Sequence, residues 1–240
     1  MIEKSAQEGK SSFMVVLTDH QTGGIGRKGR KWLDAADNSL MFSALFRIKE
    51  SSIATFADLV SLTICETLRN ITGNLSIQVK YPNDIVSDDK KIGGILVKNI
   101  YDEKLKYSGT NLGIGLNIHY TTDMLKKFAT DYPATSIDIC TSSFVKRQDI
   151  LTELLERLRY IGTEADVFET NIQTRELFDE RWRQACSMMR KNVSILKQDI
   201  AFEEGVVTDT GIGRGIELQT TKGRKWFSLF DTDMKARVAN

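Results

Sequence analysis

The sequence predicts an α+β fold, in which a mixed, largely antiparallel sheet is flanked by helices and a small SH3-like β-barrel follows at the carboxy terminus. Apolar runs rich in β-forming residues recur over residues 12–118, and an amphipathic helix interrupts them. From residue 192 onward, short strand patterns alternate with glycine-bearing turns. Consecutive strands joined by short turns favour antiparallel pairing over strand–helix–strand repeats.

The first strand is predicted over 12–18 and the second over 39–48, on either side of a polar, glycine-dense loop at 19–32. An amphipathic helix is predicted over 53–70, ended by Gly73-Asn74. Its apolar positions recur at three- and four-residue spacing: Ile53, Phe56, Val60, Ile64 and Leu68.

Strand patterns return at 76–81, 91–100 and 106–118. Asp88-Asp89 is predicted to form the turn between the first two, and residues 101–104 a polar hairpin connection before the third.

Two helices are predicted next, one carrying an apolar stripe from Ile150 to Leu158 and one over 177–189. The strands of the carboxy-terminal barrel are predicted at 193–196, 204–209, 215–220 and 225–230. We therefore expect two domains, 1–190 and 191–240, with the boundary near Lys191.

Composition limits the function classes. The formal net charge of +1 argues against a nucleic-acid surface, and no apolar stretch is predicted to span a bilayer. Three widely spaced cysteines and two histidines without partners at ligand spacing predict neither a disulfide framework nor a metal centre. The amino-terminal residues have no apolar signal core, so the expected location is cytoplasmic.

Residues 24–29, GIGRKG, match the G-x-G-x-x-G pattern of dinucleotide-binding loops. That motif requires a helix after the glycines, but here the chain continues toward another strand. A P-loop is also rejected, because Arg30 and Lys31 replace its Lys and Ser/Thr. A flexible loop carrying four cations beside Trp32 suits a phosphate, although a solvated basic turn explains the same residues equally well.

Two further motifs carry small or amide residues at strand positions. In residues 80–84, KYPND, the proline fixes how the chain leaves a strand and so orients Asn83 and Asp84. Lys91 opens a strand with the glycine pair Gly93-Gly94, which indicates either close approach of a ligand or a β-bulge. Residues 113–117, GIGLN, repeat this pattern.

Together and in this order, these motifs resemble the biotin–protein ligase family. The resemblance rests on residues 21–32, 80–85, 90–97 and 113–118, with a weaker likeness at 134–136. It implies a class II synthetase-like catalytic sheet and a reaction in two steps. The biotin carboxylate attacks the α-phosphate of ATP, and a lysine of a biotin carrier protein then displaces AMP from the biotinyl-adenylate.

The resemblance also implies roles for individual residues. Lys91 is the main cation at the α-phosphate, Arg27 joins it, and Asp84 orients the incoming lysine amine or a Mg²⁺. The implied biotin-binding residues are Gln21, Gly24, Ile25, Gly26, Arg27, Lys91, Gly93 and Gly94. The implied ATP-binding residues are Arg27, Arg30, Trp32, Lys80, Asn83 and Asn117.

The implied substrates are ATP with Mg²⁺ and biotin, no protein-bound metal is expected, and the implied partner is the biotin carrier domain of a carboxylase. A homodimer is compatible with an exposed sheet edge. A DNA-binding winged helix does not fit into the residues before the loop.

The sequence departs from the family at four places. Ile25 replaces an arginine, Tyr81 a tryptophan and Lys98 an acidic residue. The family's opening strand and Ser-Thr-Asn motif have no counterpart in residues 1–11. Two alternatives therefore remain beside an active biotin ligase: a non-catalytic relative that binds nucleotide or carrier, and a lipoate ligase.

Overall fold

The computed structural model of the protein describes residue 3 and residues 13–101, 106–128, 132–141, 144–230 and 234–239. The first sheet contains six strands: β1 (Val15–Thr18), β2 (Ser39–Phe46), β3 (Ile77–Lys80), β4 (Asp84–Ser87), β5 (Lys90–Tyr101) and β6 (Tyr107–Asn117). The helices are α1 (Ile53–Thr72), α2 (Thr122–Lys126), α3 (Ile137–Thr141), α4 (Arg147–Thr170) and α5 (Ile172–Ala185). The second sheet contains β7 (Asn192–Lys197), β8 (Ile200–Gly211), β9 (Gly215–Thr220), β10 (Gly223–Phe227) and β11 (Met234–Val238).

The first sheet has the strand order β1-β2-β6-β5-β4-β3, and each adjacent pair is antiparallel. This confirms the predicted fold class. The prediction missed β4, whose four residues form the strand that the Asp88-Asp89 turn joins to β5. Both aspartates of that turn have positive φ, 48° and 58°. The predicted hairpin connection lies outside the described residues beyond Tyr101.

Helix α1 covers one face of this sheet and supplies much of the core. Its apolar stripe is buried. The helix ends at Gly73, which has the left-handed conformation at φ 68° and whose N–H donates a hydrogen bond to the Arg69 carbonyl. The segment Glu50–Thr72 is long and apolar enough to cross a membrane, which corrects the expectation that no stretch qualifies. However, 78% of the most apolar 18-residue stretch of that segment is buried inside the protein, as in the core helix of a globular domain.

Helix α5 differs from its prediction. It begins after Asn171, whose side chain accepts from the Thr174 N–H, and ends at Ala185 instead of residue 189. The prediction included residues 186–189 in the helix, but most of these residues are buried because they pack beside a strand. Cys186 forms a parallel bridge with Val79, and the Ser187 N–H bonds to the Val79 carbonyl, so this segment extends the edge of the first sheet.

The second sheet has the order β10-β9-β8-β7-β11. Register shifts within its β7–β8 and β8–β9 pairings bend the long strand β8, as a strand of a small barrel bends. Strand β11 was not predicted. Gly211 pairs with Gly215 at the turn between β8 and β9, so residues 211–215 form a hairpin turn. The division of the chain near Lys191 stays a prediction.

Candidate active site

The face of the first sheet opposite helix α1 forms the floor of a cavity of about 820 Å³. Its roof and walls come from the glycine loop and from the segment after α2. Most of the sequence-predicted site residues line it: Gln21, Gly24, Ile25, Gly26, Arg27, Arg30, Trp32, Asn83, Lys91, Gly94 and Asn117.

The floor is flat because small residues occupy adjacent positions on neighbouring strands. Gly94 of β5 pairs with Gly115 of β6, and Leu96 pairs with Gly113. Ser43 of β2 pairs with Gly113 from the other side. Since side chains alternate across a strand, these residues share one face, and the missing side chains leave room for a flat ligand.

A β-bulge directs Lys91 into the cavity. The register of β4 against β5 shifts between Ile85 and Val86, so that Ile85 pairs with Gly93 while Val86 pairs with Lys91. The extra residue, Ile92, is fully buried in the core. In a regular strand, Lys91 and Gly94 would point to opposite faces because they are three residues apart. The extra residue of the bulge reverses this, so Lys91 and Gly94 share the cavity face.

The Lys91 ammonium is held directly above the floor. Nζ donates to Asp84 Oδ1 at 2.6 Å and lies 3.2 Å from the position that a Cβ on Gly94 would take. Its side chain is 28% exposed and that of Asp84 is 25% exposed, so the pair is only partly screened by water. A ligand anion on this floor would therefore lie against a fixed positive charge.

The backbone of Lys91 is fixed by the segment that walls the cavity. The Lys91 N–H donates to the Pro133 carbonyl, and its own carbonyl accepts from the Thr135 N–H, both at 2.8 Å. The amide of Asn117, which is 8% exposed, donates to the Thr135 carbonyl at 3.0 Å. The side chain of Asn117 thus joins β6 to the segment that holds Lys91.

The glycine loop is a short hairpin. The Gly26 N–H bonds to the Arg30 carbonyl, and the Trp32 N–H to the Gly24 carbonyl. Its tip, Arg27–Gly29, is a single 3₁₀ turn in which Lys28 and Gly29 have positive φ, 58° and 71°. The glycines therefore open no α-helix, in agreement with the rejection of a dinucleotide motif.

Trp32 lies flat on the floor. A Cβ on Gly115 would come within 2.7 Å of the indole Cζ2 and 2.8 Å of Cε2, so only glycine permits this contact. The indole Nε1 is buried and, like Asn111 Oδ1 further along the cavity, has no hydrogen-bond partner among the described residues. Buried polar atoms are normally paired, so these are positions that a ligand or a water molecule would complete.

Arg27 is bound at both ends of its guanidinium. Nη1 donates to Asn83 Oδ1 at 3.2 Å, and Nη2 donates to the carbonyl of Leu229 at 2.8 Å. The amide of Asn83 in turn donates to the Ile95 carbonyl at 3.0 Å. The side chain of Asn83 therefore connects Arg27 of the glycine loop to strand β5.

Three predicted site residues do not line this cavity. Asp84 contacts it only through Lys91. Gly93 faces away, because a Cβ there would lie 2.4 Å from the Gly115 carbonyl oxygen. Lys80 lies beside the site, with Nζ 3.6 Å from the ring centroid of Tyr132, and its burial lowers the pKa of the Lys80 ammonium.

Sequence reasoning missed one wall of the cavity, which Leu125, Phe128 and Tyr132 provide. Burial raises the pKa of Tyr132 to about 12, so this wall presents a neutral phenol. The apolar residues of this segment were a usable signal, but they lie in and after a five-residue helix, which is too short to show a periodic stripe. Among the described residues, no group of three or more His, Cys, Asp or Glu side chains is placed to hold a metal ion.

Residues 2–117 match the model of the biotin/lipoate A/B protein ligase family. These residues are therefore assigned to a domain of this family. The relatives of the chain include the bifunctional ligase/repressor BirA of Escherichia coli, 32% identical over 84 residues, which are 34% of this chain and 26% of that protein. BirA of Bacillus spizizenii is 30% identical over 130 residues, 53% of this chain and 37% of the relative. The chain thus matches well under half the length of these family members.

The fold of the chain resembles that of a biotin protein ligase from Aquifex aeolicus solved in complex with biotin and ATP. The TM-score is 0.77 at 22% identity, over 99% of this chain and 94% of that one. At this identity the likeness concerns the fold, and it includes the carboxy-terminal sheet that the family model does not cover.

Proposed function

We propose that the protein is a biotin–protein ligase, which activates biotin with ATP and transfers it to a lysine of a carrier protein. The observation that carries this proposal is the ammonium of Lys91, fixed over a floor of glycines in a cavity that Arg27 and Arg30 also line. Motifs from four parts of the sequence meet at this cavity, and the relatives that the chain matches include the BirA ligase/repressors.

In the first step, a biotin carboxylate oxygen bonds to the α-phosphorus of ATP, and the bond to pyrophosphate breaks. Negative charge concentrates at the α-phosphate, so a preorganised cation lowers the barrier. Lys91 is suited to this role because its backbone is fixed by Pro133 and Thr135 and its side chain by Asp84. Trp32 would flank the adenine, and Gln21, Ile25 and Gly94 would enclose biotin.

In the second step, the amine of a carrier lysine attacks the acyl carbon of biotinyl-adenylate, AMP leaves, and the amine loses a proton. Asp84 uses Oδ1 for Lys91, and its Oδ2 has no partner among the described residues. This oxygen would orient the amine or receive its proton. The same oxygen would offer a carboxylate ligand to the magnesium that accompanies ATP.

The carrier needs access to the cavity. Strand β4 pairs with β5 only as far as Gly94, so on that side residues 96–101 of β5 pair with no other strand among the described residues. An open strand edge beside the cavity is suited to receive an extended segment of the carrier.

A transfer assay with biotin, ATP and a biotin carrier domain tests the proposal. We expect Lys91→Ala to lose about 10²–10³ in rate, as for the loss of one preorganised electrostatic group. Lys90→Ala is the matched control, because its side chain is exposed at the neighbouring position. A folded wild-type protein that forms no adenylate would contradict the proposal, as would equal activity of the two variants. Supplying lipoate in place of biotin separates the two branches of the family.

A further inference from the structure

The residue Leu229 brings the carboxy-terminal part of the chain into the site. It is fully buried, and both polar groups of its backbone are bound. Its N–H donates to the hydroxyl of Tyr81 at 3.0 Å, and its carbonyl accepts from Arg27 Nη2 at 2.8 Å. The backbone of one residue therefore connects a tyrosine behind the site to an arginine in it.

The position of the Tyr81 hydroxyl is fixed by packing. Tyr81 is 3% exposed, and its ring lies edge-on to Trp182 with the centroids 6.5 Å apart. Tyr81 also lies two residues before Asn83, whose Oδ1 is the second acceptor of Arg27 at 3.2 Å. These two acceptors of the guanidinium are thus connected to the segment 81–83, one directly and one through Leu229.

A second contact joins the same two parts of the chain. Lys28, the neighbour of Arg27 at the loop tip, donates from Nζ to the Met234 carbonyl at 3.3 Å. The tip of the glycine loop is therefore attached to two residues that follow β10, Leu229 and the first residue of β11, Met234. A displacement of these two residues would displace the loop tip with them.

We propose that Tyr81 is a positioning residue which, through the backbone of Leu229, holds Arg27 and the glycine loop closed over the cavity. The carboxy-terminal sheet then sets how long the reactive adenylate is retained. This consequence rests on the proposed function, whereas the attachment of the loop does not. A tryptophan at this position would lack the attachment, because an indole N–H cannot accept a hydrogen bond from Leu229.

Limited proteolysis of the full chain, without substrates, tests the attachment. Trypsin would cleave the loop after Arg27, Lys28, Arg30 or Lys31, and mass spectrometry identifies these products. We expect Tyr81→Phe, which keeps the ring and removes the hydroxyl, to raise the loop cleavage rate about five-fold, the effect of one lost hydrogen bond. Tyr160→Phe removes a hydroxyl from a tyrosine that is 60% exposed and should leave the rate unchanged.

A third variant separates the hydrogen bond from general loosening of the core. Trp182→Phe disturbs the packing of the Tyr81 ring but retains its hydroxyl. The two variants are compared at denaturant concentrations that give them the same loss of unfolding free energy. If the loop cleavage rate then rises equally in Trp182→Phe and Tyr81→Phe, the proposal is overturned. Wild-type cleavage rates in Tyr81→Phe would also overturn it.

A single-turnover reaction tests the consequence for the adenylate. In Tyr81→Phe we expect the ratio of released biotinyl-adenylate to transferred biotin to increase about five-fold over wild type. An unchanged ratio alongside faster loop cleavage would overturn the role in retention. If the wild-type protein forms no adenylate, the proposed function fails, and the proteolysis result still decides whether Tyr81 holds the loop.

Discussion

Replacing Gly115 by alanine would place a methyl group against the indole of Trp32. The added Cβ would lie 2.7 Å from Cζ2, whereas ordinary contact begins at 3.4 Å, so the ring would have to withdraw by 3.4 − 2.7 = 0.7 Å. The strand cannot move, because Gly115 is paired on both sides, to Met41 and to Gly94. The glycine loop that carries Trp32 must therefore lift.

Overpacking of this kind costs about 1–3 kcal/mol in a closed core. We expect the lower end here, because a surface hairpin can move outward. A loss of about 1 kcal/mol in ATP binding corresponds to a KM for ATP raised about five-fold. The increase should appear in the KM for ATP more than in the KM for biotin, since Trp32 is assigned to the adenine.

Gly113→Ala is the matched control on the same strand and the same face. Its Cβ would meet no protein atom closer than 3.6 Å, so the loop has no reason to move. Its methyl group would instead lie on the open floor of the cavity, where we propose that biotin binds, and would raise the KM for biotin. If the two variants changed the KM for ATP equally, or if a crystal structure of Gly115→Ala showed an unmoved indole, the assignment of Trp32 would be refuted.

Three further predictions concern other residues. Ile25→Arg adds a cation to a loop position that is 66% exposed, so the variant should fold and should release less free adenylate than wild type in a single turnover. Asn117→Ala removes the donor to the Thr135 carbonyl and should lower the urea-derived free energy of unfolding by about 1–3 kcal/mol; a loss below about 0.5 kcal/mol would contradict its anchoring role. Burial raises the pKa of Asp58 to about 8, and its carboxylate accepts from the Gly213 N–H. The Asp58 carboxyl group therefore keeps its proton in the folded state over a pH range in which the unfolded state has lost it. As a result, the free energy of unfolding falls by about 1.4 kcal/mol per pH unit as the pH rises from about 4 to about 8. Asp58→Asn should therefore gain stability relative to wild type as the pH rises through that window, and a difference that is equal at pH 5 and pH 7.5 would count against the buried proton.

The elements that could be predicted from the sequence are those with a long pattern and a clear end. Helix α1, which has 20 residues, shows its apolar stripe from Ile53 to Leu68 and ends at a glycine in the left-handed conformation. The elements that were missed are short. Strand β4 has four residues, three of them buried, and shows no alternation. Helices α2 and α3 have five residues each and therefore complete little more than one turn.

The candidate site divides in the same way. Residues that belong to local motifs, such as Lys91 and Gly94, could be found because unusual glycines and a proline mark them in the sequence. Leu229 carries no such mark, since it contributes only its backbone and lies 202 positions from Arg27. A contact of this kind depends on how the second sheet packs against the first, which no local pattern specifies.

The paired glycines of β5 show why the two interpretations of that motif could not be separated in advance. Both interpretations apply to this strand, and the two glycines serve different purposes. Gly94 opens the cavity floor beneath Lys91, whereas Gly93 permits the close approach of strand β6 on the other face. The bulge leaves Ile92 as the extra residue and turns Lys91 toward the cavity. A Cβ on Gly93 would lie 2.4 Å from the Gly115 carbonyl oxygen, so a substitution there would displace the strand that carries Lys91, although Gly93 itself does not line the cavity.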